Sequence, residues 1–190
     1  MAQNISEQEK EILLEIAREA ISAVVEGKTL PPIDAENYSP LLKEQGTSFV
    51  TLTKNGRLRG CIGALEPYQP LVLDVQEHAA AAATRDYRFP NVRKEELPEI
   101  IIEISRLTPI KPLIFSKAEE IVKKLRPHVD GVLMKTENRR ATFLPQVWEK
   151  VSDPEMFLNE LCLKMGVNPD FWRKEPVEIY TYQVEEFEET

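Results

Sequence analysis

Cys61 stands in the stretch Leu58-Arg59-Gly60-Cys61-Ile62-Gly63, and a cysteine next but one to an arginine is a pairing that can do chemistry. A thiol attacks as its thiolate, which a nearby cation favours by lowering the pKa from about 8.5. The opposing role is packing, because free cysteine is among the residue types most often buried. A thiol nucleophile also calls for a base. The chain has two histidines. His78 is the nearer and reads as a partly exposed helical residue after Glu77, while His128 lies in the turn around Arg126 to Gly131, so no Cys-His dyad is assigned.

A second cluster follows at Arg85-Asp86-Tyr87-Arg88-Phe89-Pro90. Planar guanidinium groups suit carboxylates and phosphates, so Arg59 and Arg88 are expected to converge on an anion with Asp86 orienting them. The plainer alternative is a capping and ion-pair cluster that fixes the turn. Gly60 and Gly63 lack a Cβ, which lets a ligand or a packed helix approach closely. Glu103 is either exposed to solvent or part of this polar cluster. No C-x-x-C or H-x-x-x-H spacing occurs, and neither a metal nor a cofactor is expected.

These residues need elements to hold them. Asn55-Gly56 between Phe49–Lys54 and Arg57–Ile62 predicts a hairpin with a type I′ turn. A two-residue turn would set Lys54 opposite Arg57, Leu52 opposite Arg59 and Val50 opposite Cys61. Arg59 and Cys61 would then share a face, with Leu58, Gly60 and Ile62 on the other. Pro70 opens a helix over Leu71 to Arg85 that includes Ala79 to Ala83, and Pro90 prevents its continuation. Glu99 to Ser105 is expected to form a strand, with Ile100, Ile102 and Ile104 on one face and Ile101, Glu103 and Ser105 on the other.

Elsewhere, Ser6 with Glu9 forms a capping box before an amphipathic helix ending near Gly27. Ser116 with Glu119 predicts a second capping box and a short helix to Leu125. Gly131–Thr136 and Arg140–Leu144 form a second hairpin. Asp153-Pro154 opens a helix through Met165, stopped by Gly166, in which Cys162 reads as core beside Leu158, Leu161 and Met165. Val177–Val184 is expected to close the fold as a strand before an acidic tail. Hairpins alternating with single helices point to an α+β fold with mainly antiparallel sheets and flanking helices.

The chain has 190 residues, 42% hydrophobic and 29% charged, which fits one soluble domain, 1–190. Its net charge of −8 opposes accumulation on nucleic acid or anionic membranes, neither of which is an expected partner. Trp148 and Trp172 accordingly read as packing. The start lacks the basic and apolar regions of a signal peptide, no apolar run spans a bilayer, and a cytoplasmic location is expected.

Three stretches, LRGCIG, TRDYRFPNV with EELPEIIIEIS, and FLPQVWEK, resemble in order and spacing the AMMECR-type domain family, named for the AMME syndrome chromosomal region candidate gene product. The resemblance runs over roughly residues 49–187. It implies two unequal lobes, the larger built from both chain ends, with LRGCIG near their junction. No reaction is established for the family, and the resemblance implies the company of a Memo-like protein and a radical SAM enzyme as partners. The resemblance carries locations to Arg59, Gly60, Cys61, Ile62 and Gly63, and to Asp86, Arg88, Phe89 and Pro90. The leading expectation is a pocket at the lobe junction for a small anionic molecule, lined by Arg59, Cys61, Asp86 and Arg88, with Cys61 as the nucleophile if there is catalysis. The rival is a non-catalytic module that offers the same surface to those protein partners.

Overall fold

Ser6 caps the first helix, α1 (Glu7–Val25), through the expected box with Glu9, and turns Leu13, Ile16, Ala17, Ala20 and Ile21 into the core. The computed structural model describes residues 4–189 and has an α+β architecture with two four-stranded sheets. It divides into two units. One runs to Thr108 and takes in the C-terminal segment from Glu185, and the other spans Pro109–Val184.

In the first unit, a short helix α2 (Pro40–Lys43) leads into β1 (Thr47–Lys54) and β2 (Arg57–Gly63), followed by α3 (Leu71–Thr84), β3 (Ile100–Leu107) and, from the chain end, β8 (Val184–Glu188). The sheet order is β2-β1-β3-β8. Asn55 and Gly56 adopt φ of 51° and 70°, the pair of positive values that a type I′ turn requires. Val50, Leu52, Ile100, Ile102 and Ile104 face a core shared with α1 and α3. Each such side chain contributes about 1.5–3 kcal/mol over its exposed state.

The register of the hairpin departs from the sequence expectation. Lys54 does pair with Arg57 and Thr53 with Leu58, but Leu52 then pairs with Gly60, Thr51 with Cys61 and Val50 with Ile62. Arg59 is the extra residue of a β-bulge, so every residue beyond it, away from the hairpin tip, is shifted by one against β1. Cys61 therefore moves to the face of Leu58 and away from Arg59. The reason is steric: a side chain is tolerated opposite Leu52 only if it vanishes beneath α3, and Gly60 is the residue that can.

The second unit contains β4 (Lys111–Pro112), α4 (Ala118–Lys124), the hairpin β5 (Gly131–Lys135) with β6 (Arg140–Phe143), α5 (Pro154–Met165), α6 (Phe171–Lys174) and β7 (Glu178–Tyr182), with sheet order β4-β7-β5-β6. Asp153 caps α5 and Gly166 ends it at φ 78°. Trp148 stacks on Phe157 at 3.7 Å and donates its indole N–H to the Asp130 carbonyl. Trp148, Trp172 and Cys162 are all core.

Two further expectations change. Helix α4 begins at Ala118 after Lys117, with no side-chain cap, so Ser116 does not act as its N-cap. The closing segment is two strands, β7 and β8, in different sheets. The acidic tail is itself an edge strand, because Glu185 pairs with Arg106 and Glu189 bonds Arg18 and the backbone of Ile102. The charges of the acidic segment thus tie it to α1 and β3.

Candidate functional site

Strand β2 is the edge of its sheet, and its outward backbone groups at Cys61 are closed by one turn. The Asp86 carboxylate accepts the Cys61 N–H at 2.9 Å, and Arg88 donates to the Cys61 carbonyl at 3.3 Å. Asp86 also accepts from the Arg88 backbone N–H at 3.1 Å and from its Nε and Nη2 at 2.9 and 2.6 Å. Helix α3 supplies this turn, ending at Arg85 with a bond to the Ala81 carbonyl. Asp86 is buried, and the Arg88 guanidinium holds its carboxyl well below the usual carboxylate range.

Arg59 is committed elsewhere. Its guanidinium makes a two-pronged bond to Glu96 at 3.0 and 2.9 Å and donates to the carbonyls of Pro90 and Asn91 at 2.9 and 3.2 Å. Arg59 in turn lowers the buried Glu96 to about 2. Arg59 and Arg88 therefore do not converge on one anion, since each is bound to a separate carboxylate of this chain. The bulge is the cause, because it aims Arg59 at the segment after the turn. The space at Gly60 is also filled, with the Ala82 carbonyl oxygen 2.2 Å from where a Cβ would lie, and at Gly63 the Phe49 ring lies within 2.4 Å of that position. Both glycines serve packing.

Cys61 lies opposite Thr51, and Thr51 opposite Glu103, so these three form a row across β2, β1 and β3. The Thr51 hydroxyl donates to Sγ at 3.3 Å. Burial pushes the thiol pKa up, and Asp86 and Glu103 add to this, against the hydrogen bond from Thr51 and the charge of Arg88. Glu103 is half-buried, and desolvation, followed by Glu186 and Glu188, raises it to about 7. A second row, Leu58, Thr53 and Ile101, leaves both Leu58 and Ile101 44% exposed. Phe89 sits under Arg88, its ring centroid 5.5 Å from Cζ, and its N–H donates to the Asp86 carbonyl.

His78 is buried, not partly exposed. Its Nδ1 lies 3.1 Å from Asp74 Oδ2, which accepts from the Ser48 hydroxyl at 2.7 Å. No hydrogen bond joins His78 to Cys61 among the described residues. His128 is exposed in the second unit. Sequence reasoning missed Thr51, Glu96 and the Ser48–Asp74–His78 cluster. The i,i+4 spacing of Asp74 and His78 was the one available signal; the others depend on the bulge and on chain return.

The stitched pair of segments lies within a match to the family model AMMECR1, which covers residues 14–187. The chain belongs to the AMMECR1 family. Similar proteins occur in Methanocaldococcus jannaschii, 38% identical over 91% of this chain and 86% of its own length, and in Methanopyrus kandleri, 38% identical over 100% of this chain and 92% of its own. The crystal structure of an uncharacterized protein from Pyrococcus horikoshii superposes with a TM-score of 0.88 at 35% identity, covering 97% of this chain and 93% of that one. Among the described residues no helix is long and apolar enough to cross a membrane.

Two measurements probe this AMMECR1 site. Glu103 has a folded-state pKa near 7 against an ordinary 4.5, so the folded state keeps a proton that the unfolded chain gives up. Its favourable contribution is complete below pH 4.5 and is lost as pH rises to about 7. Glu103→Gln should therefore stabilise the protein at pH 8 by about 1–2 kcal/mol after allowance for solvent screening, and leave it unchanged near pH 4, in urea unfolding at both pH values. Cys61, half-exposed, should be alkylated in the native protein only slowly at pH 7 and faster above pH 9, while buried Cys162 should react only on unfolding. Rapid labelling of Cys61 at pH 6 would contradict the raised pKa.

Proposed function

We propose that this AMMECR1-family protein binds a small molecule bearing a carboxylate or phosphate at the Cys61–Arg88 corner of its first unit. One observation carries the reading. Arg88 is fixed through Asp86 and the Cys61 carbonyl, yet its side chain remains 45% exposed, and its Nη1 makes no hydrogen bond among the described residues. The guanidinium is thus preorganised with donors left for a ligand, which spares much of the ordering entropy of binding.

In this reading Cys61 lines the site as a neutral thiol. An anion held by Arg88 and a Cys61 thiolate would compete for the same cation, so binding and nucleophilic attack oppose each other electrostatically. Inorganic phosphate and small carboxylates should raise the melting temperature of the wild type, and calorimetric affinity should fall at least about tenfold in Arg88→Ala. Affinity that ignores Arg88→Ala would place binding elsewhere. A ligand that accelerates Cys61 alkylation would restore covalent chemistry.

The exposed row of Leu58 and Ile101 favours a second reading, a module that docks a protein partner, for which the Memo-like protein and the radical SAM enzyme are the candidates. Co-purification should then survive Cys61→Ser and be lost in Leu58→Asp.

A further inference from the structure

Tyr87 follows Asp86 in the turn and is 95% exposed. An aromatic of its size ordinarily buries some 150–250 Å², and a turn position has no backbone demand for one. The backbone around it is held on the Asp86 side: Asp86 Oδ1 accepts the Arg88 N–H at 3.1 Å, and the Asp86 carbonyl accepts the Phe89 N–H at 3.0 Å. Arg88, whose Cζ lies 5.5 Å from the Phe89 ring centroid, is the next residue in the chain. An exposed aromatic side chain is therefore carried on a hydrogen-bonded turn, adjacent in sequence to a half-exposed guanidinium that keeps free donors.

We propose that the anion bound by Arg88 also carries a flat aromatic ring that stacks on Tyr87, as a nucleoside monophosphate does. The inference rests on the Arg88 reading and narrows its ligand class. Stacking between a base and an aromatic side chain accepts any planar ring, because every ring has a π-face. The net charge of −8 favours a small nucleotide over a nucleic-acid strand, whose many phosphates would be repelled.

Calorimetry on the full chain with AMP, ribose 5-phosphate and inorganic phosphate at constant ionic strength tests this. AMP should bind at least about fivefold more tightly than ribose 5-phosphate, the lower end of one stacked base. Tyr87→Phe should keep the preference. Tyr87→Ala should bring AMP to the affinity of ribose 5-phosphate without altering the latter, and a side chain this exposed should leave the melting temperature in place. Equal affinities in the wild type, or a preference that survives Tyr87→Ala, overturn the stacking alone if binding still requires Arg88. Absence of binding by all three compounds overturns the stacking proposal and the phosphate form of the Arg88 reading, and failure of the small carboxylates as well overturns that reading whole.

Discussion

Gly60→Ala is expected to destabilise the first unit by about 3 kcal/mol or more, the upper range for forcing atoms into a packed interior. The added Cβ would lie 2.2 Å from the Ala82 carbonyl oxygen and 3.2 Å from its carbon. Both are backbone atoms of α3, which is held against α1 and β1 by Val72, Val75, Ala79 and Ala83 and cannot swing aside as a side chain would. Gly46→Ala is the matched comparison, because its new Cβ would meet only the Leu71 side chain, at 3.0 Å. Urea midpoints should therefore fall far more for Gly60→Ala than for Gly46→Ala. A loss under about 1 kcal/mol at Gly60 would mean that β2 and α3 do not approach so closely.

Asp86→Ala should be the second most damaging change, by about 2–3 kcal/mol, since it leaves the Cys61 N–H without its acceptor and the Arg88 guanidinium with the Cys61 carbonyl alone. The exposed part of Arg88 can turn to water, which keeps the effect below that of a fully buried pair. The pH dependence has a definite sign. Asp86 is depressed below its ordinary 3.8, so its stabilisation is present above that value and is lost as pH falls through the folded-state pKa. The difference between wild type and Asp86→Ala should hold from pH 5 to 8 and shrink below pH 4. Asp86→Ala should also expose Cys61 to faster alkylation, because the turn that closes the strand edge is released. Unchanged alkylation would show that Asp86 does not hold this turn against β2.

Much of the fold is legible from local pattern. The Ser6–Glu9 box, the Asn55-Gly56 turn, the isoleucine alternation of β3 and the Asp153 and Gly166 ends of α5 are determined by neighbours within four residues. Their conformations follow from capping, positive φ and period-two burial. The AMMECR resemblance is of the same kind, since it rests on segments read in order.

The candidate site is less legible because its geometry depends on contacts across the chain. Local pattern is enough to assign Arg59, Cys61, Asp86 and Arg88 to one hairpin and one turn, Cys162 to the core, and Glu103 to the face of β3 opposite Ile100, Ile102 and Ile104. The direction of Arg59 depends instead on packing between segments distant in the chain. The approach of α3 excludes any side chain opposite Leu52, so the strand gains one residue at Arg59, and Gly60, Cys61 and Ile62 exchange faces relative to β1 while the hairpin-tip pairs keep the expected register. That shift separates Arg59 from Cys61, gives it to Glu96, and leaves Arg88 as the cation beside the thiol. Periodicity describes a strand without insertions, and a bulge is set by what packs against the strand.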